Sequence, residues 1–325
     1  TFYRGAALIM ADDLAATPRS GLNAQICGDA HLSNFGVFAS PERRLMFDLN
    51  DFDETLPGPW EWDVKRLATS FEIAGRSRGF DATTRAEVVA ACVAEYRARM
   101  HEAAGMGNLE VWYLRIEMEQ LFDELKSQAS KKEQKRAQAT IAKARTRDSM
   151  QAFSKLTHVV DGRRRIVSDP PLIVPVEDVA DSASAAMDID DTLRTLIRSY
   201  RRTLETDRRA LLEEFQYVHA ARKVVGVGSV GTRAWILLML GRDGEDPLFL
   251  QAKEAEASVL ERYVGRSAYR NSGQRVVAGQ RLMQSSSDIF LGWVRGRRGY
   301  DFYVRQLRDM KMSMPVDGFS PVQLK

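Results

Sequence analysis

Two short runs near the start of the chain concentrate side chains that could bind a metal ion and a phosphate group. The first run is residues 28–34, Gly-Asp-Ala-His-Leu-Ser-Asn, and the second is residues 47–53, Phe-Asp-Leu-Asn-Asp-Phe-Asp. Phosphotransferases of the kinase type need an Asp that accepts a hydroxyl proton, an Asn five residues later for a metal, and a later Asp that binds metal beside the phosphates. Asp29, Asn34 and Asp51 supply these types, and their oxygens suit Mg²⁺. The two runs therefore predict a site for Mg²⁺ and phosphate.

Turn chemistry is the alternative explanation for these polar side chains. Asp, Asn and Gly are common in turns because of their local hydrogen bonding and backbone freedom. Asp29 and Asn34 taken alone fit this alternative as well as they fit catalysis. Two neighbours are also open to two interpretations. His31 could contact phosphate or metal or make a structural hydrogen bond, and Asp53 could bind a metal or cap the loop.

The composition is that of an ordinary folded protein. The 325 residues are 44% hydrophobic, and the formal net charge of +3 arises from 47 basic and 44 acidic residues, so neither nucleic acid nor a membrane is predicted as a partner. Cys27 and Cys92 make neither a disulfide framework nor a zinc signature. With no run of 18 apolar residues and no signal-peptide pattern, the sequence predicts a cytoplasmic protein.

Short elements should hold the two runs side by side. A strand is predicted at residues 24–27, directly before the first run. Residues 35–39 and 45–47 flank the turn signal Ser-Pro-Glu-Arg, which predicts a hairpin that places residues 48–53 beside Asn34.

Two helices are predicted before a longer polar stretch. One covers residues 62–74, and another opens at the capping box Thr84-x-x-Glu87. Residues 126–147 carry eight basic side chains and are predicted to form a solvated helix face rather than a phosphate-binding patch. The second helix should bury the apolar side chains of Val88, Val89, Cys92, Val93, Tyr96 and Met100.

The later part of the chain changes from helical to strand-like patterns. The fold class expected is α+β, with a mostly helical lobe at residues 1–212 and an antiparallel-sheet lobe at residues 213–325. Short strands are predicted at residues 221–225, 234–240, 248–252, 289–294 and 300–307.

A glycine-rich segment, Gly226-Val227-Gly228-Ser229-Val230-Gly231, lies between the first two of these strands. A dinucleotide-binding fold uses the same glycine spacing, but there a helix follows, whereas here an apolar strand follows. The strand-turn-strand context favours a flap over nucleotide phosphates. In that flap Gly226, Gly228, Ser229 and Gly231 would contact the nucleotide.

Lys253 is predicted at the end of the third strand, where kinase-type enzymes use a lysine against the α- and β-phosphates. The alternative is a surface lysine that ends an edge strand. An acidic partner should hold the ammonium group, and Glu254, Glu256 and Glu261 follow on a predicted helix. Glu256 and Glu261 are the better candidates, and the choice between them stays open.

These residues resemble the protein-kinase-like superfamily, specifically its aminoglycoside-phosphotransferase branch. That branch has a catalytic loop Gly-Asp-x-x-x-x-Asn, a metal motif of Asp followed by an aromatic residue, and an Asp about 12 residues further on that braces the catalytic loop. The resemblance implies that Asp29 is the catalytic base, that Asn34 and Asp51 bind Mg²⁺, and that Asp63 is structural. It also implies that Lys253 and the flap glycines hold ATP.

The order of these motifs differs from that of ordinary kinases. Here the glycines and the lysine follow the catalytic loop by roughly 200 residues, so the resemblance implies a circularly permuted, two-lobed kinase-like fold. Residues 2–62, including Phe-Tyr-Arg-Gly-Ala-Ala and Cys-Gly-Asp-Ala-His-Leu-Ser-Asn-Phe-Gly, also closely resemble an uncharacterised bacterial family called domain of unknown function 2252. That second resemblance implies no substrate.

The expected function is ATP- and Mg²⁺-dependent phosphoryl transfer to a hydroxyl of an unknown small molecule or protein. Three alternatives stay open. They are a non-catalytic nucleotide-binding pseudokinase or interaction module, a protein nucleotidyltransferase that binds ATP inverted, and a metal-dependent phosphohydrolase built on His31 and the Asp cluster. The last would not need Lys253.

Overall fold

The computed structural model describes residues 2–125, 134–135, 138–139, 141–142, 149–180, 182–224, 231–307, 310 and 312–313. Two predictions concern residues outside these ranges. One is the phosphate flap at Gly226, Gly228 and Ser229, and the other is most of the basic segment at residues 126–147.

Short strands near the amino terminus hold the two polar runs. A 3-10 turn at Phe2–Gly5 and helix α1 come first, and strand β1 then leads into the first run. The hairpin of β2 and β3 is confirmed, and β4 pairs antiparallel with β1. The bounds of these elements are α1 Ala7–Ala15, β1 Asn23–Ile26, β2 Phe35–Ala39, β3 Leu45–Leu49 and β4 Leu56–Pro59.

Helices dominate the next part of the described chain, which then continues into the main sheet. The helices are α2 Glu61–Ser77, α3 Ala82–Ala104, α4 Asn108–Trp112, α5 Met118–Leu125, α6 Ser149–Leu156, α7 Val176–Val179, α8 Ala183–Arg201, α9 Thr206–Glu213, α10 Glu261–Val264 and α11 Ser272–Met283. The remaining strands are β5 Thr157–Val160, β6 Arg163–Ile166, β7 Ile173–Pro175, β8 Gln216–Lys223, β9 Ala234–Leu240, β10 Pro247–Ala255, β11 Gly292–Arg295, β12 Asp301–Gln306 and β13 Met312–Ser313.

The main sheet has six antiparallel strands in the order β11-β12-β10-β9-β8-β7. Successive side chains of β9 point to opposite faces, so Leu237 packs in a cluster with α8, and Leu238 packs in a second cluster with α6. Because both faces are covered, strand β10 between β9 and β12 is buried along its whole length. A mixed α+β protein with antiparallel sheets is therefore confirmed.

Some elements from before residue 213 join this sheet. Strand β7 pairs with β8 at its edge, and the apolar side of α8 packs against its surface. The predicted lobe boundary at residues 212 and 213 stays a prediction.

The predicted buried face of helix α3 is confirmed at Val88, is only half-buried at Val89, Cys92 and Tyr96, and is wrong at Val93 and Met100. Val88 is its buried residue, whereas Val93 is 43% and Met100 is 52% exposed. The helix packs against α2, and a single neighbouring helix cannot cover so broad an apolar face. Its N-cap is Asp81, whose carboxylate accepts from the Thr84 amide, so the predicted cap position is three residues too late. None of the helices in the described ranges is both long enough and apolar enough to cross a membrane.

Candidate functional site

The fold brings Lys253 against the second polar run. The Lys253 Nζ lies 2.8 Å from Asp53 Oδ2 and 3.9 Å from Asp51 Oδ1, although Lys253 and Asp53 are 200 residues apart in sequence. Lys253 is only 4% exposed. Burial disfavours its charged form, but attraction by Asp51 and Asp53 outweighs burial and raises the pKa of Lys253 above its ordinary value. The ammonium group is therefore a buried cation held by two carboxylates.

The position of Lys253 in the sheet differs from the prediction. Strand β10 continues to Ala255 and lies between β9 and β12, so Lys253 is not at the strand end. The alternative of a surface lysine on an edge strand is wrong for the same reason. Tyr303 faces Lys253 on β12, and the Lys253 Nζ lies 5.4 Å from the centre of the Tyr303 ring.

The predicted glutamate partners do not contact Lys253. Among the described residues, the carboxylates within 4 Å of its ammonium group are those of Asp51 and Asp53. Glu256 is exposed and Glu261 is half-buried, because the chain leaves the sheet after Ala255. The prediction that one of them holds Lys253 is wrong, whereas a role for either in nucleotide binding stays a prediction.

Glu254 is directed away from Lys253 by the pleat of the strand. Its carboxylate accepts from the Arg233 amide at 2.8 Å and pairs with the Arg233 guanidinium at 3.0 Å. Arg233 follows Gly231, whose φ of +99° suits glycine. Glu254 directly follows Lys253 in β10. Its contact with Arg233 therefore fixes the chain just after the glycine-rich segment at a position beside Lys253.

Asn34 joins the two polar runs. Its amide Nδ2 donates to the carbonyl oxygens of Asp29 and Asp51, each at 3.0 Å, and the side chain is buried. Its Oδ1 accepts from the Asn50 amide at 3.3 Å. Asn34 therefore holds the candidate base and the candidate metal ligand in one rigid unit.

The donor set fits Mg²⁺ only in part. Within the described part of the chain, no three His, Cys, Asp or Glu side chains are grouped to hold a metal ion. Asp51 is 48% exposed, and Asp53 Oδ1 has no hydrogen-bond partner among the described residues. Mg²⁺ is commonly bound by one or two carboxylates, with water and substrate phosphates as its other ligands. Asp51, Asp53 and the Asn34 oxygen are compatible with such an incomplete set.

Arg66 of α2 contacts the candidate base Asp29. Its Nε lies 2.5 Å from Asp29 Oδ1, and His31 Nε2 lies 3.7 Å from Asp29 Oδ2. Burial raises the pKa of Asp29 to about 7, and Arg66 opposes this rise. Burial, with a smaller effect of Arg66, lowers the pKa of His31 to about 4. His31 is therefore neutral at pH 7, which disfavours a charge-based contact with phosphate and leaves the other two interpretations as predictions.

The amino-terminal turn holds Arg66 in place. The Tyr3 hydroxyl donates to the Arg66 carbonyl at 2.9 Å, and Arg66 Nη2 donates to the Tyr3 carbonyl at 3.0 Å. The guanidinium carbon lies 4.6 Å from the centre of the Tyr3 ring. Arg66 was not predicted as a site residue from the sequence, although its position three residues after Asp63 places both on one side of α2.

Arg66→Gln should destabilise the protein more at pH 8 than at pH 5. Asp29 has a raised pKa in the folded state, so its contribution to stability is present at low pH and lost as pH rises through about 7. Without Arg66 that pKa rises further, and each added unit costs about 1.4 kcal/mol once Asp29 is ionised. Urea unfolding at both pH values measures the difference. The explanation would be contradicted if Arg66→Gln destabilised the protein equally at the two pH values. It would also be contradicted if the difference between the two pH values remained in an Asp29→Asn background.

Asp63 braces the first polar run, as the resemblance implies. Its Oδ2 accepts from the Cys27 amide at 2.7 Å, and its Oδ1 accepts from the Gly28 amide at 3.0 Å. Gly28 has a φ of +76°, and a Cβ there would lie 2.6 Å from the carbonyl oxygen of Glu54. Only glycine fits this close approach of the two runs.

Arg275 of α11 braces the second run. Its Nη1 donates to the Thr55 carbonyl at 2.7 Å, and its Nη2 donates to the carbonyls of Asp53 at 2.7 Å and Glu256 at 2.9 Å. Arg275 is 2% exposed. A buried guanidinium thus fixes the main chain that carries Asp51 and Asp53, and this contact too was not predicted from the sequence.

A cavity of about 1160 Å³ adjoins strand β3 and the segment at residues 281–289. Asp48 and Trp112 are among its lining residues, whereas Asp29, Asn34 and Lys253 are not. Asp48 is held there by the Ser285 amide at 3.0 Å. The cavity therefore lies beside the site and is separate from its carboxylates.

Comparison with known proteins places the chain in a family but adds no activity. A search of curated proteins and a search of solved structures each found no match. One family model, described as an uncharacterised protein conserved in bacteria, matches residues 1–325. The chain therefore belongs to the bacterial family known as domain of unknown function 2252.

Proposed function

We propose that this protein is an ATP- and Mg²⁺-dependent phosphotransferase with a circularly permuted protein-kinase-like fold. The observation that supports this most is the contact of Lys253 Nζ with Asp53 at 2.8 Å and Asp51 at 3.9 Å. A lysine beside the metal-binding Asp is the arrangement that kinase-type enzymes use around nucleotide phosphates. Asn34 donates to the main-chain carbonyls of both Asp29 and Asp51, and it thereby keeps the candidate base close to the candidate metal ligand.

Each side chain has a part in this proposal. Lys253 attracts the phosphates of ATP, while Asn34 and Asp51 would hold Mg²⁺, which neutralises phosphate charge when bound. Asp29 accepts the proton of the acceptor hydroxyl. The hydroxyl oxygen forms a bond to the γ-phosphorus, and the bond between the γ-phosphorus and the ADP oxygen breaks. A base with a pKa of about 7 is well matched to that transfer at neutral pH.

A nucleotide-binding protein without turnover is the second candidate. Arg66 occupies Asp29 Oδ1 at 2.5 Å, which leaves Oδ2 as the oxygen that could accept a proton. In such a protein Arg66 and Asp29 would form a structural ion pair, and Lys253 would still bind phosphates. Turnover separates this candidate from a phosphotransferase.

Lys253→Met is expected to lower the affinity for Mg²⁺-ATP at least tenfold, because one buried cation facing the phosphates is lost. Isothermal titration calorimetry gives the dissociation constant. Lys155→Met on α6 is the matched control, since Lys155 is exposed and lies on another element, and its affinity should equal that of the parent.

Isotopic labelling tests the reaction itself. ATP labelled at the γ-phosphate should transfer its label to an acceptor from a panel of hydroxyl compounds and proteins, whereas ATP labelled at the α-phosphate should not. Transfer from the α-phosphate would support nucleotidyl transfer. Unchanged Mg²⁺-ATP affinity in Lys253→Met would contradict the proposed site, and phosphate release that is independent of Lys253 would support a phosphohydrolase.

A further inference from the structure

The buried ammonium group of Lys253 needs a fixed counter-ion. An unpaired buried charge is costly, so a lysine inside a sheet remains charged only beside a carboxylate. Lys253 lies on an interior strand, in register with Ala234 on one side and Tyr303 on the other. Strand geometry therefore fixes its backbone but supplies no negative charge.

In kinases this counter-ion is a glutamate on a helix that packs against the sheet. Helix α11 packs against β10, β11 and β12, yet its sequence, Ser-Gly-Gln-Arg-Val-Val-Ala-Gly-Gln-Arg-Leu-Met, contains no acidic residue. Glu256 and Glu261, which precede α11, are not within ion-pair distance of Lys253 in the described structure. The usual source of the counter-ion is therefore absent from this helix.

Asp53 is the residue that contacts Lys253 as its counter-ion. Its Oδ2 lies 2.8 Å from Lys253 Nζ, a hydrogen-bonded ion pair, whereas Asp51 Oδ1 lies at 3.9 Å, beyond hydrogen-bond range. Arg275 of α11 donates to the Asp53 carbonyl at 2.7 Å. The helix thus acts through the main chain of the loop, and the loop provides the carboxylate.

We propose that Asp53 is the positioning residue of Lys253, replacing the helix glutamate of kinases, with Arg275 fixing the loop that carries it. This inference rests on the proposed function for its meaning in catalysis. The ion pair itself does not depend on nucleotide or metal. Asp53 therefore acts on the reaction through Lys253, while Asp51 acts through the metal.

Amine labelling of Lys253 tests the pair without any nucleotide. The intact protein is treated with an amine-specific acylating reagent, and peptide mass spectrometry measures the modified fraction of Lys253. Asp53→Asn, which keeps the shape but removes the charge, should increase labelling at least fivefold. Asp53→Glu should restore part of the protection. Asp51→Asn is the matched comparison, because it removes a charge 3.9 Å from Lys253 Nζ but no hydrogen bond, and it should increase labelling less than Asp53→Asn does. An equal or larger increase in Asp51→Asn would overturn the proposal.

Combining the variants tests how Asp53 acts on turnover. If Asp53 acts through Lys253, the double variant Asp53→Asn/Lys253→Met should have the same kcat/KM for ATP as Lys253→Met alone. A double variant at least tenfold slower than Lys253→Met would overturn the proposal and assign Asp53 to the metal. Should Asp53→Asn fail to fold, the double variant should fold, because the unpaired cation is gone. Failure of both to fold would also count against it.

The labelling and kinetic experiments test the role of Asp53 and the proposed function independently. If no turnover is found, the labelling result still decides whether Asp53 holds Lys253. If turnover is found and labelling is unchanged in Asp53→Asn, the phosphotransferase stands and the positioning role of Asp53 falls.

Discussion

Asp29→Asn is expected to reduce phosphoryl transfer by roughly 10²–10⁴-fold, the usual contribution of a general base. Asn has the same shape but cannot accept the hydroxyl proton. Mg²⁺-ATP affinity should change less than threefold, because Asp29 contacts Arg66 and His31 while the phosphates are assigned to Lys253. Single-turnover rates and calorimetric titrations measure the two quantities on one preparation.

Asp48→Asn is the matched control for this loss. Asp48 is also a partly buried carboxylate with a raised pKa, caused by burial, and it lies three residues from Asp51. Its oxygens accept from the amides of Leu49 and Ser285, so it is held away from Lys253. Activity should persist in Asp48→Asn. Full activity in Asp29→Asn would remove Asp29 from the mechanism, and loss of activity in both variants would point to damage of the whole loop.

Local sequence patterns predicted the elements near the site well. The apolar arms around Ser-Pro-Glu-Arg specify the β2–β3 hairpin, and the apolar run at residues 234–240 is strand β9 at the same bounds. These elements depend on near neighbours in the chain. The approach of Lys253 to Asp51 followed instead from the resemblance, because no local pattern relates residues 200 positions apart.

The choice of ion-pair partners could not be predicted in the same way. In the sequence, Glu256 and Asp53 are equally plausible partners of Lys253, because each is a carboxylate close to a site motif. The structure decides between them, because the chain leaves the sheet after Ala255 and carries Glu256 away, whereas Asp53 contacts Lys253. Arg66 and Arg275 look like ordinary basic residues of amphipathic helices. Their burial is set by tertiary packing, so the contacts that fix the two loops appear only in the structure.

Asp63→Ala is expected to lower the free energy of unfolding by about 2–5 kcal/mol, because each buried donor left without an acceptor costs about 1–3 kcal/mol. Asp63 accepts from two amides of the first run, those of Cys27 and Gly28. Cys27 is fully buried, so water cannot replace the lost acceptor at its amide. Burial raises the pKa of Asp63, and the two amide donors oppose this rise, so removing the carboxylate also recovers some desolvation cost. The net loss in free energy of unfolding should therefore be smaller than the summed cost of two unsatisfied amides and a lost charged acceptor.

Hydrogen exchange distinguishes this brace from general loss of stability. In Asp63→Ala the amides of Cys27 and Gly28 should exchange faster than the global unfolding rate allows, while amides of strand β9 should follow global unfolding. Asp81→Ala is the matched control, because Asp81 also accepts a backbone amide, that of Thr84, but at an exposed helix start. It should cost about 1 kcal/mol and leave both loop amides protected. If Asp63→Ala were no more costly than Asp81→Ala, the first run would keep its shape without the carboxylate, and the position of Asp29 would have to come from its other contacts, among them those with Asn34 and Arg66.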